Sequence, residues 1–350
     1  MTGDLFPVVR ALPSEQQAWR VAVVIPCYRV RRHILDVIAS IGAECAAIYV
    51  VDDACPDGSG ALVEEQCADP RVRVIFHDVN RGVGAAVITG YRAAIAEDAT
   101  VIVKIDGDGQ MDPAEVPRLV GPILRGEADY TKGNRFHSLA NIHRMPRARI
   151  VGNAALSFVT KFSTGYWDIF DPTNGYTAIH ASVAEQLPLE RIAHGYFFES
   201  DMLHHLGLVS AVVRDVPIDA RYADEQSGIR LKSVIARFSV MHAANTVRRL
   251  FYNYFLRDFS AASIELLLGA GLLAFGGIYG SLQWLEWRDR GVGAYSGTVM
   301  LAALPVILGT QLLLAFLGYD VARVPRKPLH PQLLRGRRTE RLIQRQHRSA

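Results

Sequence analysis

Short apolar runs alternate with helical patterns in the first third of the chain. The apolar runs are rich in β-branched residues and cover 21–25, 47–51, 72–76 and 101–105. The helical patterns between them cover 34–41, 60–67 and 81–95. Short continuous apolar strands separated by helices are typical of a parallel sheet covered by helices on both faces. The pattern therefore predicts an α/β fold with a mostly parallel sheet.

Two long charge-free runs follow near the end of the chain. Residues 266–285 hold no charged side chain over 20 positions, and residues 291–319 hold none over 29. Each run is long enough to cross the roughly 30 Å hydrocarbon core of a bilayer as a helix. Trp284, Trp287 and Tyr319 lie where interfacial aromatic residues belong. The pattern predicts a two-helix transmembrane hairpin, with a buried pair of core helices as the alternative.

These patterns divide the chain into five segments. We expect an N-terminal extension (1–20), an α/β domain (21–228), juxtamembrane amphipathic helices (229–260), two transmembrane helices (261–320) and a basic tail (321–350). From Arg323 onward, nine Lys or Arg residues stand against one Glu. A hairpin returns the chain to its starting side, and the positive-inside rule places both ends in the cytosol. Such a tail can also attract anionic lipid headgroups.

Composition narrows the possible classes of protein. Half of the residues are hydrophobic, and the net charge of +3 is too small to indicate a nucleic-acid partner. The four cysteines form no C-x-x-C pair and have no His at ligand spacing: Cys27, Cys45, Cys55 and Cys67. We therefore expect reduced thiols in the cytosol, without a zinc site or a disulfide framework. The N-terminus lacks the basic start and apolar run of a signal peptide.

An acidic motif follows the fourth predicted strand. Asp106 and Asp108 straddle Gly107, and Gln110 comes two residues later. Two carboxylates at this spacing can share a hard divalent cation whose other ligands are phosphate oxygens, as a diphosphate leaving group requires. The alternative is an acidic turn that only caps the strand and starts a helix at Pro113. The position at a strand end favours the metal-binding interpretation, because ligands bind beyond the carboxyl ends of parallel strands.

An acidic pair and a glycine pair follow the second and third predicted strands. Asp52 and Asp53 end the second strand, where a carboxylate can accept a hydrogen bond from a base or a ribose hydroxyl. Asp57 is expected to form an Asx turn or an N-cap. Gly82 and Gly84 precede a helix, where glycine permits close approach of a nucleotide. Helix–sheet packing explains these glycines equally well.

Four motifs in this order resemble family-2 glycosyltransferases. They are Val24-Ile-Pro-Cys-Tyr28, Val50-Val-Asp-Asp53, Asn80-Arg-Gly-Val-Gly84 and Lys104-Ile-Asp-Gly-Asp-Gly-Gln-Met-Asp-Pro113. The resemblance spans about 21–231 and is strongest to the dolichyl- and polyprenyl-phosphate sugar transferases, some of which also end in two transmembrane helices. It implies a GT-A fold, a nucleoside-diphosphate sugar donor, Mg²⁺ or Mn²⁺, and inversion at the anomeric carbon.

The resemblance also implies roles for individual residues. It implies donor binding by Pro26, Tyr28 and Asp53. Asp52 at the strand end, Gly82 before the helix and Asp106 at the metal are further candidates for donor binding by their positions. The resemblance implies a metal-binding triplet of Asp106, Asp108 and Gln110. We predict catalytic roles for Asp108, Arg135 and Glu199, the last of which lies in Tyr196-Phe-Phe-Glu199, a pattern that also resembles the family. The resemblance implies acceptor binding by Arg135, Arg147 or Arg149, Asn153, Asp171 and Arg221. The sequence departs from the family at Arg29-Val-Arg-Arg32 and at Arg230, so the base and ribose contacts and the end of the domain are open.

The acceptor decides which chemistry the site needs. A polyprenyl phosphate is already anionic at neutral pH and needs no strong base, so alignment and charge management suffice. A sugar hydroxyl would need a base, for which Glu199 and Asp201 are candidates. We expect an inverting transferase that moves a sugar from GDP-mannose or a UDP-hexose to polyprenyl phosphate at the membrane. The alternatives are another lipid or lipid-linked saccharide acceptor, a nucleotidyltransferase, and a non-catalytic membrane scaffold.

Overall fold

The computed structural model describes residues 19–137, 147–218 and 231–336. Its N-terminal half alternates strands and helices, as the apolar pattern predicts. These elements are β1 (Val21–Cys27), α1 (Ile34–Ala39), β2 (Cys45–Asp52), α2 (Ser59–Gln66), β3 (Val72–Phe76), α3 (Val83–Ala96) and β4 (Val101–Lys104). After a 3₁₀ turn follow α4 (Val116–Leu124), β5 (Tyr130–Asn134), α5 (Arg147–Thr164), β6 (Thr177–His180), α6 (Ala181–Ala184), α7 (Phe198–Val209) and β7 (Val213–Pro217).

The strands form one seven-stranded sheet in the order β3-β2-β1-β4-β6-β5-β7. Strands β1 to β4 pair in parallel, which confirms the predicted parallel sheet. Strand β6 runs antiparallel to both of its neighbours, β4 and β5. The segment 171–176, just before β6, therefore reaches the same edge of the sheet as the loop after β4. This reversal brings the acceptor-side loop beside the acidic motif.

Hydrophobic clusters cover both faces of the sheet. On one face, Val24 and Ile102 pack with residues of α3, α6 and α7. On the other face, Val23 and Val103 pack with residues of α1 and α4. Side chains alternate between the faces of a strand, so a strand buried on both sides reads as a continuous apolar run. The positions of the strand ends, and so of the polar loops after them, follow from this packing.

Long helices make up the rest of the described chain. Helix α8 (Leu231–Phe251) leads through a π-helical turn (Tyr252–Leu256) into α9 (Ala261–Arg290) and α10 (Ser296–Ala322). Helices α9 and α10 pack against each other and are both long and apolar enough to cross a membrane, judged by length and composition. Only 22% and 11% of their most apolar windows are buried within the protein. A pair of soluble core helices would bury far more of this surface.

A buried ion pair joins α8 to the end of α10, and its carboxylate also bonds a residue of the α/β domain. The guanidinium of Arg249 on α8 donates to Asp320 near the end of α10, with Nη1–Oδ1 at 2.6 Å and Nη2–Oδ2 at 3.1 Å. The same carboxylate accepts from Tyr254 Oη at 2.6 Å and from Trp167 Nε1 at 2.9 Å. Although the basic and aromatic residues of 229–260 are expected on an interfacial face, Arg249 and Tyr254 point into this junction.

Replacing Arg249 with methionine is expected to lower the free energy of unfolding by about 3–5 kcal/mol, because Asp320 would remain as a buried charge without its counterion. Arg290 and Glu286 on α9 form an exposed pair at 2.5 Å and provide the control. Arg290→Met should cost less than about 1 kcal/mol. Thermal melting of the two variants in detergent measures the difference. Equal melting temperatures would show that the buried pair does not hold the junction.

The chain after α10 returns to the α/β domain. The buried carboxylate of Asp129, just before β5, accepts hydrogen bonds from the backbone N–H groups of Leu329 and His330 at 2.8–2.9 Å. It also bonds His330 Nδ1 at 2.8 Å, and the His330 ring stacks on His180 at 4.4 Å. The first part of the basic tail is therefore docked on the sheet, and residues 337–350 lie outside the described chain.

Two buried histidines make the packing of α7, α8 and α5 sensitive to pH. Burial lowers the pKa of His204 and of His242 to about 4, against about 6.5 in an unfolded chain. Between these values the unfolded chain binds the extra protons, so stability falls as the pH falls from 6.5 towards 4. We expect His242→Gln to flatten the dependence of the melting temperature on pH in this window. A parallel curve for the variant would contradict this assignment.

Candidate active site

The acidic loop lies at the end of β4 and is built for a tight turn. Gly109 has a φ of +78°, a conformation that side-chain-bearing residues rarely adopt. A Cβ at Gly107 would meet Ile34, Val30 and Ile25 at 3.1–3.3 Å, so the loop rests directly on the core. The Asp108 carboxylate accepts from Gln110 N at 3.0 Å, which fixes the turn between these two residues.

A buried lysine lies directly beneath this loop. Lys104 Nζ lies 2.8 Å from Asp106 Oδ1 and 3.1 Å from Glu199 Oε1, with only 1% of its side chain exposed. Burial lowers the pKa of Lys104, but the two carboxylates outweigh burial and hold the pKa above its ordinary value. The ammonium is therefore charged, and it joins a residue of the acidic loop to a residue of α7.

The loop has the donor set of a hard divalent cation. The carboxylates of Asp106 and Asp108 and the side-chain carbonyl of Gln110 supply oxygen ligands, which Mg²⁺ and Mn²⁺ prefer. All three residues are partly exposed. In the described chain, no three acidic, His or Cys side chains converge as a complete metal cage. Two carboxylates and an amide fit an ion that completes its shell with phosphate oxygens and water. The residues therefore fit the metal that the resemblance implies.

Asp52 and Asp53 are both buried and both bonded within the protein. Asp52 accepts from the backbone N–H groups of Cys55 and Gly60, each at 2.7 Å. Asp53 accepts from Arg81 N at 2.9 Å and Gly82 N at 2.7 Å, and bonds His77 Nδ1 at 2.7 Å. Asp52 thus organises the loop after β2, and Asp53 links that loop to the start of α3. Asp57 accepts from Ser59 N at 3.1 Å in the predicted Asx turn.

Gly82 and Gly84 allow a close contact with the loop before α7. A Cβ at Gly82 would lie 2.5 Å from His194 O, and one at Gly84 would lie 2.4 Å from Ala193 O. Gly84 N donates to His194 O at 2.7 Å. Glycine is thus required here by the chain's own backbone, and a nucleotide contact by Gly82 stays a prediction.

Pro26 and Tyr28 differ in their surroundings. Pro26 is buried in β1, where it lies opposite Val51 of β2. On the other side of β1 the pairing with β4 already ends at Val24. Tyr28 follows the strand with 42% of its surface exposed, and the Arg29 guanidinium lies 5.4 Å from the centre of its ring. Tyr28 is therefore the member of this motif with a ring surface available to a base.

Arg135 and Asp171 form a two-pronged ion pair on the acceptor side. Arg135 Nε donates to Asp171 Oδ2 at 2.8 Å, and Nη2 donates to Oδ1 at 3.0 Å. Asp171 is 1% exposed, whereas a quarter of the Arg135 side chain is exposed. The pair holds the guanidinium in one orientation, because the planar fork matches a carboxylate in two places.

The loop 171–176 connects this ion pair to the acidic loop. A Cβ at Gly175 would lie 2.4 Å from Lys104 Nζ and 2.7 Å from Asp106 Oδ2, so the backbone there abuts both side chains. Asn174 Nδ2 donates to Gly133 O at 2.7 Å, and Tyr176 Oη donates to Asp112 O at 2.9 Å. Asp106 and Glu199 are thus linked, through Lys104 and the loop 171–176, to the Arg135–Asp171 pair, and we call the site that these residues border the cleft.

A second buried lysine supports the acceptor side. Lys132 on β5 donates to Asn174 O, and burial lowers the pKa of Lys132 to about 8. On β7, burial raises the pKa of Asp215 to about 6, and its Oδ2 accepts from Asn134 Nδ2 at 3.0 Å and from Phe170 N at 2.9 Å. These contacts hold the end of β5 and the segment between α5 and β6 in place.

The two candidate bases are both engaged. Glu199 contacts Lys104, as described above. Asp201 is 7% exposed; its Oδ2 accepts from Ala193 N at 2.8 Å and its Oδ1 from Asn245 Nδ2 at 2.8 Å. Glu199 thus shares its charge with a buried ammonium while 14% of its side chain is exposed, and Asp201 is bonded in the interior.

Other predicted acceptor residues lie on α5 or beyond the described chain. Asn153 is half-buried on α5. Arg147 and Arg149 belong to the first turn of α5, but their side chains lie outside the described residues, as does all of Arg221. Their roles stay predictions.

Sequence reasoning missed Lys104 and Lys132. Each is a charged residue inside an otherwise buried strand, and a buried charge needs a partner. This signal was present, but the partners lie far away in sequence: Glu199 is 95 positions from Lys104.

Comparison with known proteins agrees with this geometry. Residues 22–187 match the family described as glycosyl transferase family 2. The chain is 32% identical over 188 residues to polyprenol monophosphomannose synthase of Mycolicibacterium smegmatis, covering 52% of this chain and 70% of that protein. It is 27% identical over 234 residues to UDP-N-acetylglucosamine–dolichyl-phosphate N-acetylglucosaminyltransferase of Methanococcus voltae, covering 63% of this chain and 92% of that protein.

Among solved structures, glucosyl-3-phosphoglycerate synthase of Mycobacterium tuberculosis superposes with a TM-score of 0.50 at 20% identity, covering 66% of this chain and 80% of that one. At this identity the likeness shows the fold alone, and it confirms the GT-A-like fold. The motifs, the cleft and the relatives agree, and the chain is an enzyme that belongs to glycosyltransferase family 2, in its polyprenyl-phosphate sugar transferase branch.

Proposed function

We propose that this glycosyltransferase moves a hexose from a nucleoside-diphosphate sugar to a polyprenyl phosphate at the membrane surface, with inversion at the anomeric carbon. The observation that carries the choice of acceptor is the engagement of both candidate bases. Glu199 is paired with Lys104, and Asp201 accepts two hydrogen bonds in the interior. A hydroxyl acceptor needs a base to remove its proton. A phosphate monoester with a second pKa near 6 is already anionic at neutral pH.

The residues of the cleft divide the work between donor and acceptor. Asp106, Asp108 and Gln110 would hold Mg²⁺ or Mn²⁺, which when bound would neutralise charge on the departing diphosphate. Tyr28 offers its exposed ring to the base of the donor. Arg135, oriented by Asp171, would bind the acceptor phosphate and align one oxygen for attack on the anomeric carbon. Attack from the face opposite the leaving group inverts that centre.

A lipid acceptor requires that the enzyme lie at the membrane. Helices α9 and α10 suit a hairpin in the bilayer, and Asp320 near the end of α10 bonds both Arg249 on α8 and Trp167 of the α/β domain. A prenyl chain keeps its tail among the lipids and its phosphate at the surface, where this cleft would meet it. We propose a multi-pass protein of the cytoplasmic membrane whose catalytic domain faces the cytosol.

Transfer of radiolabel tests this proposal. Purified full-length protein with Mn²⁺ or Mg²⁺ and a panel of labelled UDP- and GDP-sugars should convert undecaprenyl phosphate into a product that extracts into organic solvent and releases its sugar in mild acid. A thermal shift by UDP or by GDP with Mn²⁺ identifies the base beforehand. If the label enters only a lipid-linked saccharide or diacylglycerol, that lipid and not polyprenyl phosphate is the acceptor. Failure with every donor would favour a scaffold.

A further inference from the structure

A polar pocket lies where the α/β domain meets the helical hairpin. We call it the junction pocket; it is lined by Gly165, Arg249, Asn253, Arg257, Asp320 and Arg323, among others. Three arginines and one aspartate give the lining a net charge of +2. Asp258, which contacts Arg323 at 3.0 Å, lies beside it with 44% of its side chain exposed, so water screens that charge. The pocket therefore favours an anion.

Buried donors in this pocket have no protein partner. Arg249 is 2% exposed, and its Nε forms no hydrogen bond although Nη1 and Nη2 hold Asp320. Arg323 Nη1 and Asn253 Oδ1 are likewise buried without a partner. Rotation of the Asn253 amide would present its Nδ2 as another donor. A buried donor left unpaired costs about 1–3 kcal/mol, and more when it is charged, so an acceptor with several oxygens would stabilise this arrangement.

The remaining contacts hold the arginines in place. Arg257 Nη1 donates to Ser210 Oγ at 2.6 Å and to Leu208 O at 3.1 Å. The Arg323 guanidinium lies over the rings of Tyr254 and Tyr319, with its carbon 5.4 and 5.8 Å from their centres. An arginine whose plane rests on aromatic rings keeps its edge available for planar contacts with oxyanions. The pocket is pre-organised by side chains that the catalytic cleft does not use.

The position of the pocket selects the kind of anion. Asp320 is the first charged residue after the charge-free run 291–319, and the π turn (Tyr252–Leu256) is separated from α9 by only the four residues 257–260. Both membrane-facing helices thus end at the level of the pocket. Phospholipid phosphates lie at this level, just outside the hydrocarbon core. We propose that the junction pocket binds the phosphate group of a membrane phospholipid and so fixes the catalytic domain on the bilayer; this rests on the membrane residence proposed above.

Lipid retention tests this proposal without any sugar donor or acceptor, so its outcome does not depend on transferase activity. Native mass spectrometry of the full-length protein in detergent with dioleoyl phosphatidylglycerol counts retained lipids. The double variant Arg257→Gln/Arg323→Gln should retain about 10-fold less lipid than the wild type, because it loses charge-assisted hydrogen bonds. Arg326→Gln/Lys327→Gln, with the same loss of charge at exposed positions, should retain as much as the wild type. Arg257→Lys/Arg323→Lys should retain an intermediate amount.

Several outcomes would overturn the proposal. Equal retention by the wild type and the Gln double variant would show that lipid binds elsewhere. No retention by the wild type would show that the pocket holds only water. Loss of the retained lipid on addition of inorganic phosphate at about 10 mM, a concentration that saturates a site with a millimolar Kd, would assign the pocket to free phosphate. Displacement by undecaprenyl phosphate would assign it to the acceptor. Melting curves of all variants show whether a loss of lipid results from misfolding. If the Gln double variant is misfolded, lipid retention by Arg257→Lys/Arg323→Lys decides between the outcomes.

Discussion

Asp108→Asn is expected to reduce sugar transfer by at least about 100-fold, the scale of losing one preorganised electrostatic contact to the transition state. The amide keeps the size of the side chain and its hydrogen bond to Gln110 N. It removes the negative charge that a divalent cation needs. Binding of UDP or GDP should therefore lose its dependence on Mn²⁺, as measured by calorimetry with and without the ion.

Asp112→Asn is the matched control in the same loop. The Asp112 carboxylate accepts from Ala114 N at 3.1 Å and caps the 3₁₀ turn Pro113–Glu115. Asparagine caps as well as aspartate does, so activity and metal dependence should persist. If Asp108→Asn left both activity and metal-dependent nucleotide binding unchanged, the acidic loop would be a structural cap and the proposed donor site would be wrong.

Arg135→Lys is expected to lower kcat/KM for the polyprenyl phosphate by about 100-fold, equivalent to about 3 kcal/mol. Lysine keeps a positive charge beside the buried Asp171, so the fold should survive. It loses the rigid fork that matches a carboxylate or a phosphate at two points. The KM for the nucleotide sugar should not change, because the substitution lies on the acceptor side of the cleft.

Arg118→Lys provides the comparison. Arg118 is half-exposed on α4 and pairs with Glu115 at 2.8 Å, outside the cleft. Its kinetics should match those of the wild type. Steady-state rates with each substrate varied in turn distinguish the effects. An Arg135→Lys enzyme with unchanged acceptor kinetics would remove Arg135 from the acceptor site, and a rise only in the donor KM would place it with the nucleotide.

The sequence predicts the first four strands well. Strands β1, β2 and β4 lie inside a sheet covered on both faces, so each reads as a nearly continuous apolar run. Strand β3 lies at the edge of the sheet, and its apolar residues still surround the single charged residue Arg73. The helical hairpin is equally legible, because residues 266–285 and 291–319 hold no charged side chain. The polar loops after β1, β2 and β4 also meet at one edge, as the parallel arrangement requires.

The sequence does not predict contacts between segments that are distant along the chain. The antiparallel insertion of β6 between β4 and β5 places Gly175 against Lys104 and Asp106, and no local pattern signals that pairing. The Arg249–Asp320 pair spans 71 positions. The oxygens of Asp52 and Asp53 accept from backbone N–H groups of the surrounding loops, a structural role that their position at a strand end does not reveal. These contacts are consequences of tertiary packing, and nucleotide binding by the two residues stays a prediction.

The structure of the product tests the central claim most directly. Incubation with an α-linked nucleotide sugar and a short-chain polyprenyl phosphate, followed by ¹H and ³¹P NMR of the isolated lipid, reveals both the bond and its configuration. We predict a β-glycosyl phosphodiester, in which the anomeric proton couples to phosphorus. An anomeric carbon bonded to a hydroxyl oxygen, without that coupling, or an α-linked phosphodiester would contradict attack by the lipid phosphate with inversion.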